Sequence, residues 1–226
     1  MIISHKHKFI FVKTAKTGGS SIEKILDDCL SSRDIASGTV YKDSDEATPT
    51  RQINWRSIGY PQDLGGDSHA SASHIYKTFF DGQRPKDYFV FTVERNSYDK
   101  AVSHWWWHTQ TKRIMKHKPV VEISLDDHLQ KFASTQKNNH PSCWPKYTIG
   151  DDLCVDMIYQ YESMLDMFSD LSQRFDIEID KNKVKNTRLK DSNKPFSNYR
   201  EPYTEKAKEL VKEIFQKEID HFGYKF

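Results

Sequence analysis

The chain has 226 residues, a length that as a prior fits one compact domain carrying a long insertion. Aromatic residues make up 13% of it, which argues against wholesale disorder, and Lys+Arg 34 against Asp+Glu 32 leaves a net charge of +2. So even a balance gives no global field for a nucleic acid, and no apolar run approaches the roughly 20 residues of a membrane helix; neither partner is expected, and any anion site must be local.

The opening MIISHKHKFIFVK holds an apolar stretch only at Phe9–Val12, too short for the core of a signal peptide and suited to a strand. A loop of small and polar residues follows. Ile22, Ile25, Leu26, Cys29 and Leu30 then repeat at helical spacing. Residues 31–68 carry turn formers and little periodicity, the pattern of a functional loop or a peripheral insertion. A short helical pattern covers His74–Phe79. Tyr88–Val93 is a second strand, rich in aromatic and β-branched residues, and a helix is predicted from about Tyr98 to Lys116.

Residues 134–152 read as another polar loop, Leu153–Tyr159 as a third strand, and Glu162–Phe175 as a helix. Ala207, Leu210, Val211, Ile214, Phe215, Ile219 and Phe222 form one stripe of a final helix that Gly223 would stop. Strands alternating with helices predict an α/β domain, 1–226, with a central, mainly parallel β-sheet flanked by helices. The loops at 31–68 and 134–152 would shape an acceptor site. Ligands of such sheets bind beyond the carboxyl ends of the strands, where the loops 13–21 and 94–103 begin. Cys29, Cys143 and Cys154 are odd in number and widely spaced, which argues against a disulfide framework or a zinc site and for a cytoplasmic setting.

Lys13–Ser21 has the makings of a phosphate or sulfate cradle. Gly18 and Gly19 let backbone N–H groups approach an anion, and the next helix presents its positive end. Lys16 supplies a point charge, and Thr17, Ser20 and Ser21 supply hydroxyls. A nucleotide-triphosphate loop would instead read GxxxxGK[ST], with Lys after the last Gly; here Lys16 precedes the glycines. The plain alternative is a strand–helix turn rich in small residues.

In the second loop, Arg95 leaves a strand end where its guanidinium could grip a phosphate bidentately, and Ser103 lies eight residues on. The competing reading pairs Arg95 with Glu94 or Asp99 at a helix start. Together the two segments resemble the sulfotransferases that use 3′-phosphoadenosine 5′-phosphosulfate (PAPS). Lys16-Thr17-Gly18-Gly19-Ser20-Ser21 matches their Lys-Thr-Gly-(small)-(Ser/Thr) loop, and Arg95-Asn96-Ser97-Tyr98-Asp99-Lys100 with Ser103 matches their Arg-Asn-Pro-(Tyr/Trp)-Asp-Arg segment and its Ser. Ser97 stands in place of Pro and Lys100 in place of Arg. Ser68–Ala72, Asp156–Glu162 and Ile219–Phe226 are similar to segments of the carbohydrate-type branch.

The resemblance implies a P-loop NTPase-like sulfotransferase fold and sulfuryl transfer from PAPS to a hydroxyl acceptor, a glycan or a small molecule, with no metal. It implies Lys16 at the transferring sulfonate, Thr17, Gly18, Gly19, Ser20 and Ser21 around the 5′-phosphate, and Arg95 and Ser103 at the 3′-phosphate. His69 is the candidate base because imidazole accepts a proton near neutral pH; His74, Glu94 and His104 are the lesser contenders. Trp105, Trp106 and Trp107 lie about 100° apart on a helix, so not all face one way, and one could stack on a sugar. Basic residues crowd 181–200, a solvated face on the plain reading; in this family a late loop closes over the nucleotide, so Arg188, Lys194 and Ser192 could help hold the 3′-phosphate. The rival functions are a P-loop-like nucleotide kinase and a non-catalytic glycan-binding protein.

Overall fold

The structure, a computed structural model, describes residues 1–31, 33–36, 69–133, 140–187 and 194–226. In chain order these form strands β1 (Ile2–Ser4) and β2 (Phe9–Val12), helix α1 (Gly19–Leu26), strand β3 (Ile35–Ala36), helix α2 (Ala72–Phe79) and strand β4 (Phe89–Glu94). Helices α3 (Ser97–Trp106), α4 (Lys112–Met115), α5 (Leu125–Ala133) and α6 (Trp144–Tyr147) follow, then strands β5 (Thr148–Ile149), β6 (Asp152–Leu153) and β7 (Met157–Gln160). Helices α7 (Met164–Phe175), α8 (Lys181–Asn186), α9 (Glu205–Ile214) and α10 (Gln216–Phe222) complete the chain. It divides into two compact units: Met1–Glu94 with Pro145–Leu189, and Arg95–Trp144 with Lys190–Phe226.

The first unit is α/β. Its five-stranded sheet has the order β3-β1-β2-β4-β7 and is mixed: β2, β4 and β7 run parallel, while β1 pairs antiparallel with both β2 and β3. Alternation along β2 and β4 sends Phe9, Phe11, Phe91 and Val93 to one face, where Ile22, Ile25 and Leu26 of α1 and Met167, Phe168 and Leu171 of α7 cover them. The rings of Phe11 and Phe91 stack at 5.2 Å, and Tyr159 of β7 meets Phe91 edge-on at 5.8 Å. Helices need such an apolar stripe to hold to a sheet, because eight residues alone make a marginal helix.

Leu153–Tyr159 is not the single strand expected. Leu153 belongs to a ribbon with β5, and β7 begins only at Met157. Asp156 divides them: its Oδ2 accepts the Val90 N–H at 2.7 Å while its own N–H donates to the Val90 carbonyl. The expected loop at 134–152 likewise contains α6 and the β5–β6 ribbon, because Tyr147 carries its fully buried ring inward and its carbonyl accepts the Cys154 N–H. Residues 134–139 of that segment, and 32 and 37–68 of the other expected loop, lie outside the described residues.

The second unit is helical. Tyr98, Ala101 and Val102 of α3, Leu125 and Leu129 of α5, and Ala207, Leu210, Val211 and Ile214 of α9 share one core. The helix expected over 98–116 is interrupted by a π-helical turn at Trp107–Thr111. There the Thr109 hydroxyl donates to the Trp105 carbonyl four residues back, a bond that competes with the helical ladder. The final helix breaks at Phe215, whose backbone (φ −115°, ψ 24°) leaves the helical region as its ring enters the core; Gly223, at φ 66°, ends α10 as expected. Among the described residues no helix is long and apolar enough to cross a membrane.

Candidate functional site

In the first unit, β2 ends at Val12 beside its parallel neighbour β4, and the chain turns through Lys13–Gly18 into α1. The Thr14 hydroxyl donates to the Val93 carbonyl near the end of β4, fastening the turn to the sheet. Thr17 is fully buried, and its hydroxyl turns back to the Thr14 carbonyl at 3.2 Å and the Thr14 hydroxyl at 2.9 Å. Of the expected hydroxyls, that of Thr17 is thus spent inside the turn, whereas Ser20 and Ser21 occupy the first turn of α1.

Two residues here take the left-handed region: Lys16 at φ 64° and Gly18 at φ 74°. For Lys16 this conformation costs on the order of 1 kcal/mol, strain of the sort that collects at functional turns. Gly18 is the N-cap of α1 and no side chain caps the helix. The Ser21 N–H folds back onto the Gly18 carbonyl at 2.9 Å. A Cβ at Gly18 would stand 3.0 Å from Cε2 of Tyr161, and one at Gly19 would stand 2.7 Å from Cγ of Lys13. Both glycines are therefore needed for close approach, and the second one seats a lysine stem.

That stem leads to a buried ion pair. Lys13 Nζ lies 2.5 Å from Glu23 Oε2, with both side chains 3% exposed. The Met1 amino group lies 2.8 Å from Oε1 of the same carboxylate. The Lys13 carbonyl receives Nδ1 of His69 at 3.1 Å. A carbonyl only accepts, so Nδ1 carries the proton, and the lone pair of the neutral ring resides on Nε2. His69 thus meets the same turn that holds Lys16. His74, exposed in the first turn of α2, donates its backbone N–H to the Ser71 hydroxyl that caps that helix. Glu94 is buried and accepts the Tyr147 hydroxyl at 3.1 Å.

In the second unit, Arg95 donates from Nε (2.8 Å) and Nη2 (2.5 Å) to one oxygen of Asp99, the helix-start pairing that was the competing reading. Asn96 caps α3 by accepting the Tyr98 N–H at 3.0 Å, doing the work at this helix start without proline. Ser103 and Lys100 are buried on α3. His104 is buried too, its Nδ1 2.9 Å from Nε2 of His128 and its ring 4.3 Å from that of His108. Burial pushes the His128 imidazole down to about 4, with His108 and Lys131 adding to the effect.

The three tryptophans are all half-buried; Trp105 donates from its indole N–H to the Ile123 carbonyl and stacks with Phe196. Arg188 and Ser192 lie outside the described residues, and Lys194 sits over the Phe196 ring. Among the described residues no group of three or more His, Cys, Asp or Glu is arranged to hold a metal ion.

Sequence reasoning assigned no contact to Lys13, Glu23 or Tyr161, although Lys13 lies in the expected cradle and Tyr161 in the Asp156–Glu162 segment. Glu23 was findable: a carboxylate between Ile22 and Ile25–Leu26 falls at the edge of the apolar stripe of α1, where it needs a cation. Tyr161 carried no such signal, since its contact with Gly18 joins residues far apart in the chain. Comparison of the chain with protein-family models, with curated proteins and with solved structures finds no match.

Proposed function

We propose that the protein is a PAPS-dependent sulfotransferase acting on a hydroxyl acceptor, with a carbohydrate as the first choice. One observation carries this reading. The Lys16–Ser21 sequence resembling a 5′-phosphosulfate loop ends the turn that leads from the carboxyl end of a parallel strand into α1, with two left-handed residues, glycines at which a Cβ would crowd Tyr161 and Lys13, and His69 bonded to the same turn. A kinase of the P-loop kind would have its lysine after the last glycine, and here it comes before.

In this reading the backbone N–H groups of the turn and the hydroxyls of Ser20 and Ser21 bind the 5′-phosphate, Thr17 contributing through its main chain alone. The acceptor hydroxyl attacks sulfur in line, the bond from sulfur to the bridging oxygen breaks, and 3′-phosphoadenosine 5′-phosphate departs. Lys16 stabilises the charge that develops on the sulfonate and the bridging oxygen. His69 takes the acceptor proton on Nε2. Arg95 and Ser103 are assigned the 3′-phosphate on the resemblance, Arg95 exchanging Asp99 for the ligand, and Arg188 is assigned to the same phosphate. No metal takes part in this scheme. A sulfotransferase fold of the P-loop-like kind, built around β2, β4 and β7, and a cytoplasmic location belong to the same proposal.

Calorimetry with nucleotides and glycans, with and without magnesium, tests it. Tighter binding of 3′-phosphoadenosine 5′-phosphate than of ATP or AMP, without magnesium and lost in Lys16→Ala, is the expected result. Magnesium-dependent ATP binding would favour a kinase, and glycan binding indifferent to Lys16→Ala would favour a lectin-like protein.

A further inference from the structure

We infer that Lys13 is the positioning residue of His69: its buried ion pair fixes the direction of its own carbonyl, and that carbonyl selects the ring tautomer with a basic Nε2. The inference rests on the sulfotransferase reading for its chemical purpose, but its structural content is independent of that reading.

Three contacts converge on this one residue, and its neighbour Thr14 anchors it to the sheet. The Lys13 ammonium is 2.5 Å from Glu23 in a setting where both side chains are 3% exposed. Its stem lies against Gly19, so close that a Cβ there would stand 2.7 Å from Cγ and 3.0 Å from Cε. Its main chain continues β2, whose partner β4 also accepts the hydroxyl of the next residue, Thr14, on the Val93 carbonyl. Its carbonyl receives His69 Nδ1. The side chain has nowhere to turn: leaving Glu23 would strand a buried charge, and rotating the stem would collide with the start of α1. The carbonyl is consequently held in direction, and a neutral imidazole beside it must present Nδ1–H.

A histidine general base needs this. The tautomer protonated at Nε2 would offer a donor where a proton must be accepted, and free imidazole side chains prefer that tautomer in water. Other bases of this kind are oriented by a carboxylate at Nδ1; here a main-chain carbonyl does so, which fixes the tautomer without a formal charge beside the ring. In this inference the Lys13–Glu23 pair has a positioning role. It acts through geometry.

Long-range 1H–15N correlation spectra of the side chain of His69 test this directly, in the wild-type protein and in the double variant Lys13→Met/Glu23→Gln, which removes the ion pair but keeps an amide oxygen for the buried Met1 amino group. The expected wild-type spectrum shows a single neutral tautomer with the proton on Nδ1. The double variant, shown folded by circular dichroism and by a cooperative melt, should show a mixture containing the Nε2–H form. With the donor nucleotide and an acceptor present, its kcat should fall at least tenfold while KM for the donor stays within twofold. A wild-type ring protonated at Nε2, or an unchanged tautomer in a folded double variant, would overturn the inference. If the double variant does not fold, Lys13→Met alone takes its place in the same spectra, judged by the same criterion. Absence of any transfer activity, with the spectra as expected, would remove the sulfotransferase reading and leave the positioning of His69 standing.

Discussion

The turn at Lys13–Ser21 and the helix start at Arg95–Ser103 resemble two halves of one binding signature, yet they are held in opposite ways. The first is secured from within: Thr14 bonds to β4, Thr17 to Thr14, and Lys13 to Glu23, so the backbone is held by its own contacts. The second is secured by a salt bridge across its helix start, from Arg95 just before the Asn96 cap to Asp99 in the first turn of α3, partly open to solvent. A backbone cradle works by being preformed, because ordering it during binding would subtract from affinity. An arginine can afford a temporary partner, since one carboxylate oxygen is readily exchanged for a phosphate.

The sharpest way to break this contrast is to remove each carboxylate. Glu23→Ala leaves the Lys13 ammonium and the Met1 amino group buried without a counter-charge and should cost about 3–5 kcal/mol of stability. Asp99→Ala, at a pair of the i,i+4 type, should cost about 1 kcal/mol or less. Urea unfolding of the two variants measures both. Equal losses would mean that the two segments are anchored alike.

A second test uses pH. The folded-state value for His128, about 4, lies below the usual 6.5 because burial disfavours its charged form. As pH falls from 6.5 toward 4 the unfolded chain therefore binds the proton first, and stability is lost over that window, by roughly 3 kcal/mol at its lower end. His140, in the same unit, is also shifted down, chiefly by burial. Hydrogen exchange at pH 5 should accordingly show α3, α5 and α9 losing more protection than β2 and β4. His128→Gln, which keeps a polar group near Nε2 without titrating, should flatten the decline. A decline unchanged by that substitution would place its source elsewhere.

For ligand binding, the expected effect is smaller and selective. Arg95→Ala should weaken 3′-phosphoadenosine 5′-phosphate by about tenfold to a hundredfold and leave AMP, which lacks the 3′-phosphate, unchanged. Asp99→Asn, which loosens the temporary partner, should strengthen the first nucleotide severalfold. Isothermal calorimetry on the three proteins decides it; parallel losses for both nucleotides would show that Arg95 serves the fold instead.

What could be read from the chain, and what could not, follows the same division. Phe9–Val12 and the strand at Tyr88–Val93 were legible because a short apolar run rich in aromatic and β-branched residues is a local signal. The three residues of β1 were not, since they become a strand only by pairing with β2 and β3. The break at Asp156 depends on Val90, 66 positions away, which no window of sequence contains. At the site, the glycines, Lys16 and His69 stood out by residue type, and the Arg95–Asp99 pair by its spacing of four. The Lys13–Glu23 pair was hidden because Lys13 reads as a strand boundary and its burial is set by Gly19.

The smallest expected effect compares two helix caps. Ser71 caps α2 by accepting the His74 N–H at 3.2 Å, and Thr204 caps α9 by accepting the Ala207 N–H at 3.0 Å. Each cap replaced by alanine should cost about 1 kcal/mol. The two differ in what else the hydroxyl does. Thr204 also donates to Asp126 at 2.7 Å and so ties α9 to α5, whereas the Ser71 hydroxyl meets the exposed Ser73. Thr204→Ala should therefore lower the unfolding midpoint more than Ser71→Ala does. Ser71 follows His69 by two residues, however, so its loss frays the segment that carries the imidazole toward the Lys13 carbonyl. The two variants should consequently reverse their order when transfer activity replaces stability as the readout: Ser71→Ala loses severalfold, and Thr204→Ala loses nothing beyond its unfolded fraction. An activity loss in Ser71→Ala no greater than its stability loss explains would show that the helix following His69 does not help to hold it.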